Sequence, residues 1–397
     1  MGRVFAGVGL VLAIAVGLGI ATGYWTADRR LAELALDQHD LTQFYRVPTP
    51  VPAAPPGTIL RSEPIPGAPN GAKAWRILYH STDLNGGDIA VSGVVVAPDS
   101  PPPPGGRPVV SWGHPTTGAA QKCAPSLALD PFELIEGLRQ LLDAGYVVVA
   151  SDYSGMGVRG PDSYLIGATE GNNVLDAARA AHALEGAGAG TDLVLWGHSQ
   201  GGQAVLFAAQ EAPHYAPDLR LRAVAVAAPA TDLAELLKAD VGDVSGVSIG
   251  SYAFAAYAGV YGPTVPGATL DSILTPEGAA VTDQMAALCL FTENKQLHEI
   301  ATPLIGHYLA ADPATTEPWA TLLAENTPGG VRLAAPLFVA QGDTDALVRP
   351  EITAQFVQAQ RDLGTDVTFE TIADTGHGLV ALRAMPKLLE WLKATAG

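Results

Sequence analysis

Residues Leu193-Val194-Leu195-Trp196-Gly197-His198-Ser199-Gln200-Gly201-Gly202 lead from an apolar run into G-x-S-x-G and on into a helical stretch. This spacing mounts a serine on a sharp strand-to-helix turn. The glycines are needed because the serine's backbone is strained and neighbouring chain approaches closely. A serine hydroxyl becomes a good nucleophile only when a base takes its proton and an acid orients that base. Both partners are available downstream, in Gly342-Asp343-Thr344-Asp345-Ala346-Leu347-Val348 and in Ala373-Asp374-Thr375-Gly376-His377-Gly378. The chain order is Ser, Asp, His, with each residue in a loop after an apolar run. Ser199, Asp345 and His377 are therefore predicted to carry out acyl transfer through a covalent acyl-serine. Of the 9 histidines, His377 is chosen because it follows the last strand in a Gly-flanked turn. Asp343 and Asp374 compete for the acid's role. Asp345 is preferred to Asp343 because it fits G-x-x-D-x-x-V, and Asp374 is too close to His377 in sequence to approach from a neighbouring strand end.

Such chemistry needs donors for the developing oxyanion. One is expected to be the backbone N–H of Gln200, the residue after the nucleophile. The other should come from Trp112-Gly113-His114-Pro115-Thr116-Thr117-Gly118. Pro115 has no N–H, so Thr116 or Thr117 is the candidate.

Other motif matches carry less. With 44 glycines in 397 residues, chance matches to G-x-S-x-G are expected, and Gly246-Val247-Ser248-Ile249-Gly250 is one, with no apolar strand before it. Gly155-Met156-Gly157-Val158-Arg159-Gly160 fits G-x-G-x-x-G, but Pro161 intervenes before any helix, and no acidic strand end follows as a dinucleotide site requires. Asp152 is read as a structural turn carboxylate. His298 and His307 lack the i,i+4 spacing of a helical zinc pair. No metal and no cofactor are expected.

The elements that must hold these residues alternate. Strand candidates are residues 75–80, 89–97, 108–112, 146–151, 193–196, 223–228, 336–341 and 367–372. Asn85-Gly86-Gly87 marks a hairpin between the first two. The later strands are continuous apolar runs, as parallel strands covered on both faces are. Helical segments fall at 133–144, 173–185, 200–212, 351–363 and 380–393. The pattern predicts an α/β fold with an eight-stranded, mostly parallel sheet and helices on both faces.

One interval breaks the alternation. About a hundred residues between Ala228 and Pro336 have helical texture and no clear strand, too long for a structureless loop. They are read as a helical cap or lid over residues 233–334. The catalytic domain is then 73–232 with 335–397. Tyr252, Phe254 and Tyr257 are candidates for an apolar substrate wall, with Tyr261 and Phe291 nearby; the alternative is that they form the cap's own core.

Residues 4–22 carry no charge and follow Arg3, the pattern of a signal peptide or a membrane anchor over residues 1–30. Tyr24, Trp25, Arg29 and Arg30 suit the flank of a retained anchor. The product is expected to be secreted or held on the outer side of the membrane. Export permits a disulfide between Cys123 and Cys289, the 2 cysteines present; otherwise they are buried thiols. Residues 31–72 form a proline-rich arm, without helical period between 48 and 69. The net charge of −18 excludes the basic face of a nucleic-acid binder.

Ser199 after the fifth strand, Asp345 after the seventh and His377 after the eighth resemble the α/β-hydrolase fold. The chain resembles more specifically the secretory lipase family. The stretches that carry the resemblance are Phe44-Tyr45 with the proline arm, Thr116-Thr117-Gly118 followed by Cys123-Ala124-Pro125-Ser126, and Asp152-Tyr153-Ser154-Gly155-Met156-Gly157. They continue with Tyr164-Leu165-Ile166-Gly167, Glu170-Gly171, Val174-Leu175-Asp176-Ala177 and Gly197-His198-Ser199-Gln200-Gly201-Gly202. Pro115 departs from the family, where a glycine is expected after the histidine. The resemblance implies secretion, a helical lid and hydrolysis of carboxylic esters, including acylglycerols, with a small-molecule or lipid ester as partner and a lipid interface as setting. An acyltransferase, a peptidase or an esterase of polyester or aromatic esters would use the same residues. A non-catalytic surface-binding protein would have no need of them.

Overall fold

The computed structural model describes residues 43–48 and 50–395. The chain divides into two compact units, Met1–Arg46 and Val47–Gly397. In the described part of the first, the rings of Phe44 and Tyr45 meet edge to face with centroids 5.3 Å apart. The leader or anchor expected over residues 1–30 lies outside the described residues.

In the second unit the described strands are β1 (Ile59–Pro64), β2 (Ala72–Thr82), β3 (Asp88–Pro98), β4 (Arg107–Gly113), β5 (Val147–Ser151), β6 (Ala189–His198), β7 (Arg220–Ala227), β8 (Leu337–Gly342) and β9 (Val367–Ile372). They form one sheet in the order β1-β2-β3-β5-β4-β6-β7-β8-β9. Pairing is antiparallel from β1 to β5 and parallel from β5 to β9. All eight expected strands are present. The ninth, β1, lies inside the stretch read as a proline-rich arm. Prolines on both sides hide this short run in the sequence. The strand tolerates Pro64 because it is an edge, where a missing N–H breaks no ladder.

The helices are α1 (Leu138–Asp143), α2 (Gly167–Ala183), α3 (Gln200–Tyr215), α4 (Leu233–Asp240), α5 (Val244–Tyr261), α6 (Pro276–Ala286), α7 (Asn294–Ala301), α8 (Trp319–Glu325), α9 (Pro350–Asp362) and α10 (Val380–Thr395). α2, α3 and α9 cover one sheet face, where their side chains pack with Val109, Val147, Leu193, Leu195, Val224 and Val339. α1 and α10 cover the other, with Val110, Val148, Val194, Ala225 and Phe338. Successive strand residues point to opposite faces, so both must be apolar when both faces are covered. The strip Ala223-Val224-Ala225-Val226-Ala227 shows the division. Its valines face α2 and α3, and its alanines face a layer already filled by Trp112, Trp196 and Phe338.

α1 is shorter than the helix expected over 133–144. Gly137 is left-handed, with φ 84°. The carbonyls of Leu134 and Glu136 accept from the indole N–H groups of Trp112 and Trp196 at 2.9 and 3.2 Å. Those carbonyls are thus taken by two tryptophans paired across β4 and β6, and the helix begins only after the glycine.

α4 to α8 fill the interval between β7 and β8 and have a separate core around Tyr252, Phe254, Tyr257, Leu297 and Trp319. The disulfide Cys123–Cys289 joins this insertion to the loop after β4. The backbone N–H of Leu290 donates to the carbonyl of Thr117 at 2.8 Å beside it.

Candidate active site

β6 ends at His198 and α3 begins at Gln200, so Ser199 alone makes the turn. Its φ of 58° lies in a region that costs a non-glycine residue on the order of 1–3 kcal/mol. The surroundings impose it. The N–H of Ser199 donates to Ala227 O at 3.0 Å, and its carbonyl accepts from Ala230 N at 3.1 Å. The flanking glycines are steric requirements. A Cβ on Gly197 would lie 2.2 Å from the carbonyl oxygen of Gly201, and one on Gly201 would lie 1.9 Å from that of Gly113. Both obstacles are backbone and cannot rotate away.

Ser199 Oγ is 2.8 Å from His377 Nε2, and His377 Nδ1 is 2.8 Å from Asp345 Oδ2. The loops after β6, β8 and β9 thus bring a serine, an imidazole and a carboxylate into one hydrogen-bonded chain. Asp345 is buried and also accepts from the backbone N–H groups of Leu347 and Val348 at 3.0 and 2.9 Å. The Gln341 amide donates to its Oδ2 at 3.3 Å. Asp343 instead accepts from Thr375 N at 3.3 Å. Asp374 is at a left-handed turn, and its carbonyl accepts from Arg383. Neither reaches the imidazole. Burial pushes the pKa of His377 below the ordinary histidine range, Asp345 opposes that shift, and His198 reinforces it.

Ser199 opens into a cleft walled by Leu233, Leu236 and Leu237 of α4 and by Ile249, Ala253, Phe254 and Tyr257 of α5. Thr116, Tyr164 and Gln200 supply polar edges. The wall on α5 is a helical stripe, 246, 249, 250, 253, 254 and 257. Tyr252 falls off that stripe. It is fully buried in the insertion's core, and its hydroxyl donates to Leu288 O at 2.9 Å. Expected on the wall, it belongs instead to the scaffold behind it. Phe291 is 58% exposed, and Tyr261 bonds to Asn326.

The two threonine candidates separate. Thr116 lines the cleft, with its hydroxyl 2.8 Å from that of Tyr164. Thr117 turns toward the disulfide, its hydroxyl donating to Cys123 O at 2.9 Å. At the other side Gln200 opens α3, and a first-turn N–H has no acceptor within its own helix.

Ser248 is buried inside α5, and its hydroxyl donates to Val244 O at 2.7 Å. Asp152 is a buried strut that accepts from Ser92 and Ser126. No group of three or more metal-ligating side chains occurs among the described residues.

Several participants were not foreseen. The apolar wall of α4 was legible as leucines spaced three and four apart. Tyr164 and Glu170 fall in stretches that carry the family resemblance but imply no role there, and Glu136 gives no local signal, because the contacts of all three are made with loops and helices distant in sequence.

A family model described as secretory lipase matches residues 133–396. A secreted triacylglycerol lipase of Malassezia globosa is 24% identical over 98% of this chain and 85% of its own length. A probable inactive lipase of Mycobacterium tuberculosis is 31% identical over 48% of this chain and 45% of its own. Among solved structures, Candida antarctica lipase A in its closed state superposes with a TM-score of 0.72 at 20% identity, covering 88% of this chain and 84% of that one. The rice cell wall degrading esterase LipA of Xanthomonas oryzae gives 0.71 at 20%, covering 85% of this chain and 100% of that one. These structures share the fold. With the family match over more than half of its length, the chain belongs to the secretory lipase family of the α/β-hydrolase fold and is a carboxylic ester hydrolase.

Proposed function

We propose that the chain hydrolyses esters of apolar acyl groups through a covalent acyl-enzyme on Ser199. The observation that carries this reading is the unbroken hydrogen-bonded chain Ser199–His377–Asp345 opening into an apolar cleft. His377 Nε2 takes the hydroxyl proton as Oγ bonds to the ester carbonyl carbon. Asp345 holds the Nδ1–H tautomer and stabilises the imidazolium. The carbonyl oxygen, now anionic, is met by the backbone N–H of Gln200 and by the loop at Thr116. His377 passes its proton to the departing alcohol as the C–O bond breaks. Water, deprotonated by the same imidazole, then attacks the acyl carbon and releases the acid and Ser199.

On this reading residues 233–334 are a cap supplying the acyl wall, with Phe254 and Tyr257 in it. The body is 73–232 with 335–397. The enzyme is exported, by a leader or an anchor at residues 1–30. Acylglycerols at a lipid surface are the substrate class, a setting favoured by the exposed Leu379 and Leu382 just beyond His377.

A fluorophosphonate probe tests the assignment. It is expected to label Ser199 and no other serine, and Ser199→Ala is expected to lose on the order of 10⁶-fold in kcat. Labelling at Ser248, or an active Ser199→Ala protein, overturns it.

A further inference from the structure

Behind Gln200 lies a buried carboxyl that the steps above do not use. Glu170, in the first turn of α2, has no exposed surface. Its Oε1 accepts from the side-chain amide of Gln200 at 2.7 Å and from the backbone N–H of Leu165 at 3.2 Å. Leu165 is itself left-handed, with φ 56°. Its carbonyl accepts from the Gln203 amide and from the Tyr257 hydroxyl, both at 3.1 Å. One knot thus ties the turn before α2, the first residues of α3 and the insertion. Three buried acceptors in it have no donor among the described residues: Glu170 Oε2, Gln200 Oε1 and Gln203 Oε1.

We propose that Glu170 is a positioning residue for the oxyanion site: its carboxyl ties Gln200 to the left-handed turn at Leu165 and so fixes the direction of the Gln200 backbone N–H. The proposal rests on the reading of Ser199 as nucleophile and of that N–H as oxyanion donor. The mechanical reason is the strain next door. Ser199 holds a φ of 58°, and such a backbone persists only where its neighbours over-determine it. Gln200 is the neighbour that must not relax, and Glu170 is the group gripping its side chain.

The same geometry sets the protonation state. Burial raises the Glu170 pKa well above the carboxylate range, and Asp162 acts in the same direction against the bonds from Gln200 and Leu165. Tyr153, Tyr164 and Tyr257 also face it and are held neutral by their own burial. No cation is among these groups. A proton on Oε2 turns one of three unpaired acceptors into a donor. It also keeps a negative charge away from the place where the oxyanion forms.

Three variants are compared with the wild type by steady-state kinetics, with folding monitored by circular dichroism. Glu170→Ala is expected to lower kcat by about 10²-fold, the cost of a misplacement on the ångström scale, with little change in KM. Glu170→Gln keeps the acceptor and places an N–H where the acid carries its proton. It is expected to restore kcat to within a few-fold of wild type. Full kcat in folded Glu170→Ala, or no rescue by Glu170→Gln, overturns the proposal. If Glu170→Ala does not fold, Gln200→Ala cuts the same tie from the other end and keeps the backbone N–H; an unchanged kcat there overturns the proposal equally. Ser199→Ala is run alongside. If it stays active, the nucleophile reading itself has failed. If it is dead while Glu170→Ala is normal, only the role of Glu170 has failed.

Discussion

The ring of His198 lies against the ring of His377, with centroids 4.8 Å apart, and His198 Nδ1 is 2.8 Å from Glu136 Oε2. The variable residue of G-x-S-x-G therefore flanks the ring of the proposed base. Its electrostatic effect on His377 adds to burial in disfavouring the imidazolium. The base must be neutral to accept the Ser199 proton, so the sign follows. Activity should persist below the ordinary histidine value of 6.5 and fall through one protonation at lower pH. A profile of kcat/KM against pH reads this ionisation in the free enzyme. An acid limb above pH 6.5 contradicts it. The same depressed value costs stability on acidification, because the unfolded chain takes up the proton first.

Asp345→Asn should leave the fold intact and lower kcat by on the order of 10⁴-fold, since the imidazole loses the group that fixes its tautomer. Asp343→Asn should be nearly silent, because the Asp343 carboxylate accepts from Thr375 N and does not bond the imidazole. Kinetics of the two variants check the choice of carboxylate. A larger loss in Asp343→Asn reverses it.

The disulfide closes a separation of 166 residues. Replacing both cysteines by alanine should lower the unfolding free energy by about 2–5 kcal/mol. Urea titrations of the oxidised protein and the double variant measure this. The change should also loosen the insertion's anchorage to the Thr116–Thr117 segment, so the variant should lose activity at lower denaturant than it loses sheet structure.

Chain-length preference should be set by the stripe on α5. Ala253→Phe places a ring inside the cleft and should shift the preferred p-nitrophenyl ester to shorter acyl chains. Each CH₂ buried is worth about 0.8 kcal/mol, roughly fourfold in binding. Tyr252→Phe, off the stripe, should cost stability through its lost bond to Leu288 O and leave the profile unchanged. An identical profile in both variants removes the acyl group from this cleft.

Much of the architecture was legible because its signals are local. Continuous apolar runs such as 147–150 and 223–227 mark strands buried on both faces. The G-x-S-x-G glycines state a steric demand that the 1.9 and 2.2 Å approaches explain. β1 was not legible, since an edge strand needs only one satisfied side and tolerates flanking prolines. The early start expected for α1 failed for a tertiary reason: indoles from β4 and β6 take the carbonyls that a helix would have used.

The sequence by itself determined the order of strands and helices, the serine's turn, and the loops from which a base and an acid could come. Only the tertiary structure decided which members of close sets meet. It selects Asp345 over Asp343, Thr116 over Thr117 at the cleft, and Tyr257 over Tyr252 on its wall. It alone assembles Glu136 with His198 and Glu170 with Gln200. The physical reason is range. Periodicity and turn chemistry act over a few residues and are written locally. A hydrogen bond between side chains 32 or 178 positions apart depends on sheet register and helix rotation, which only the packed whole determines.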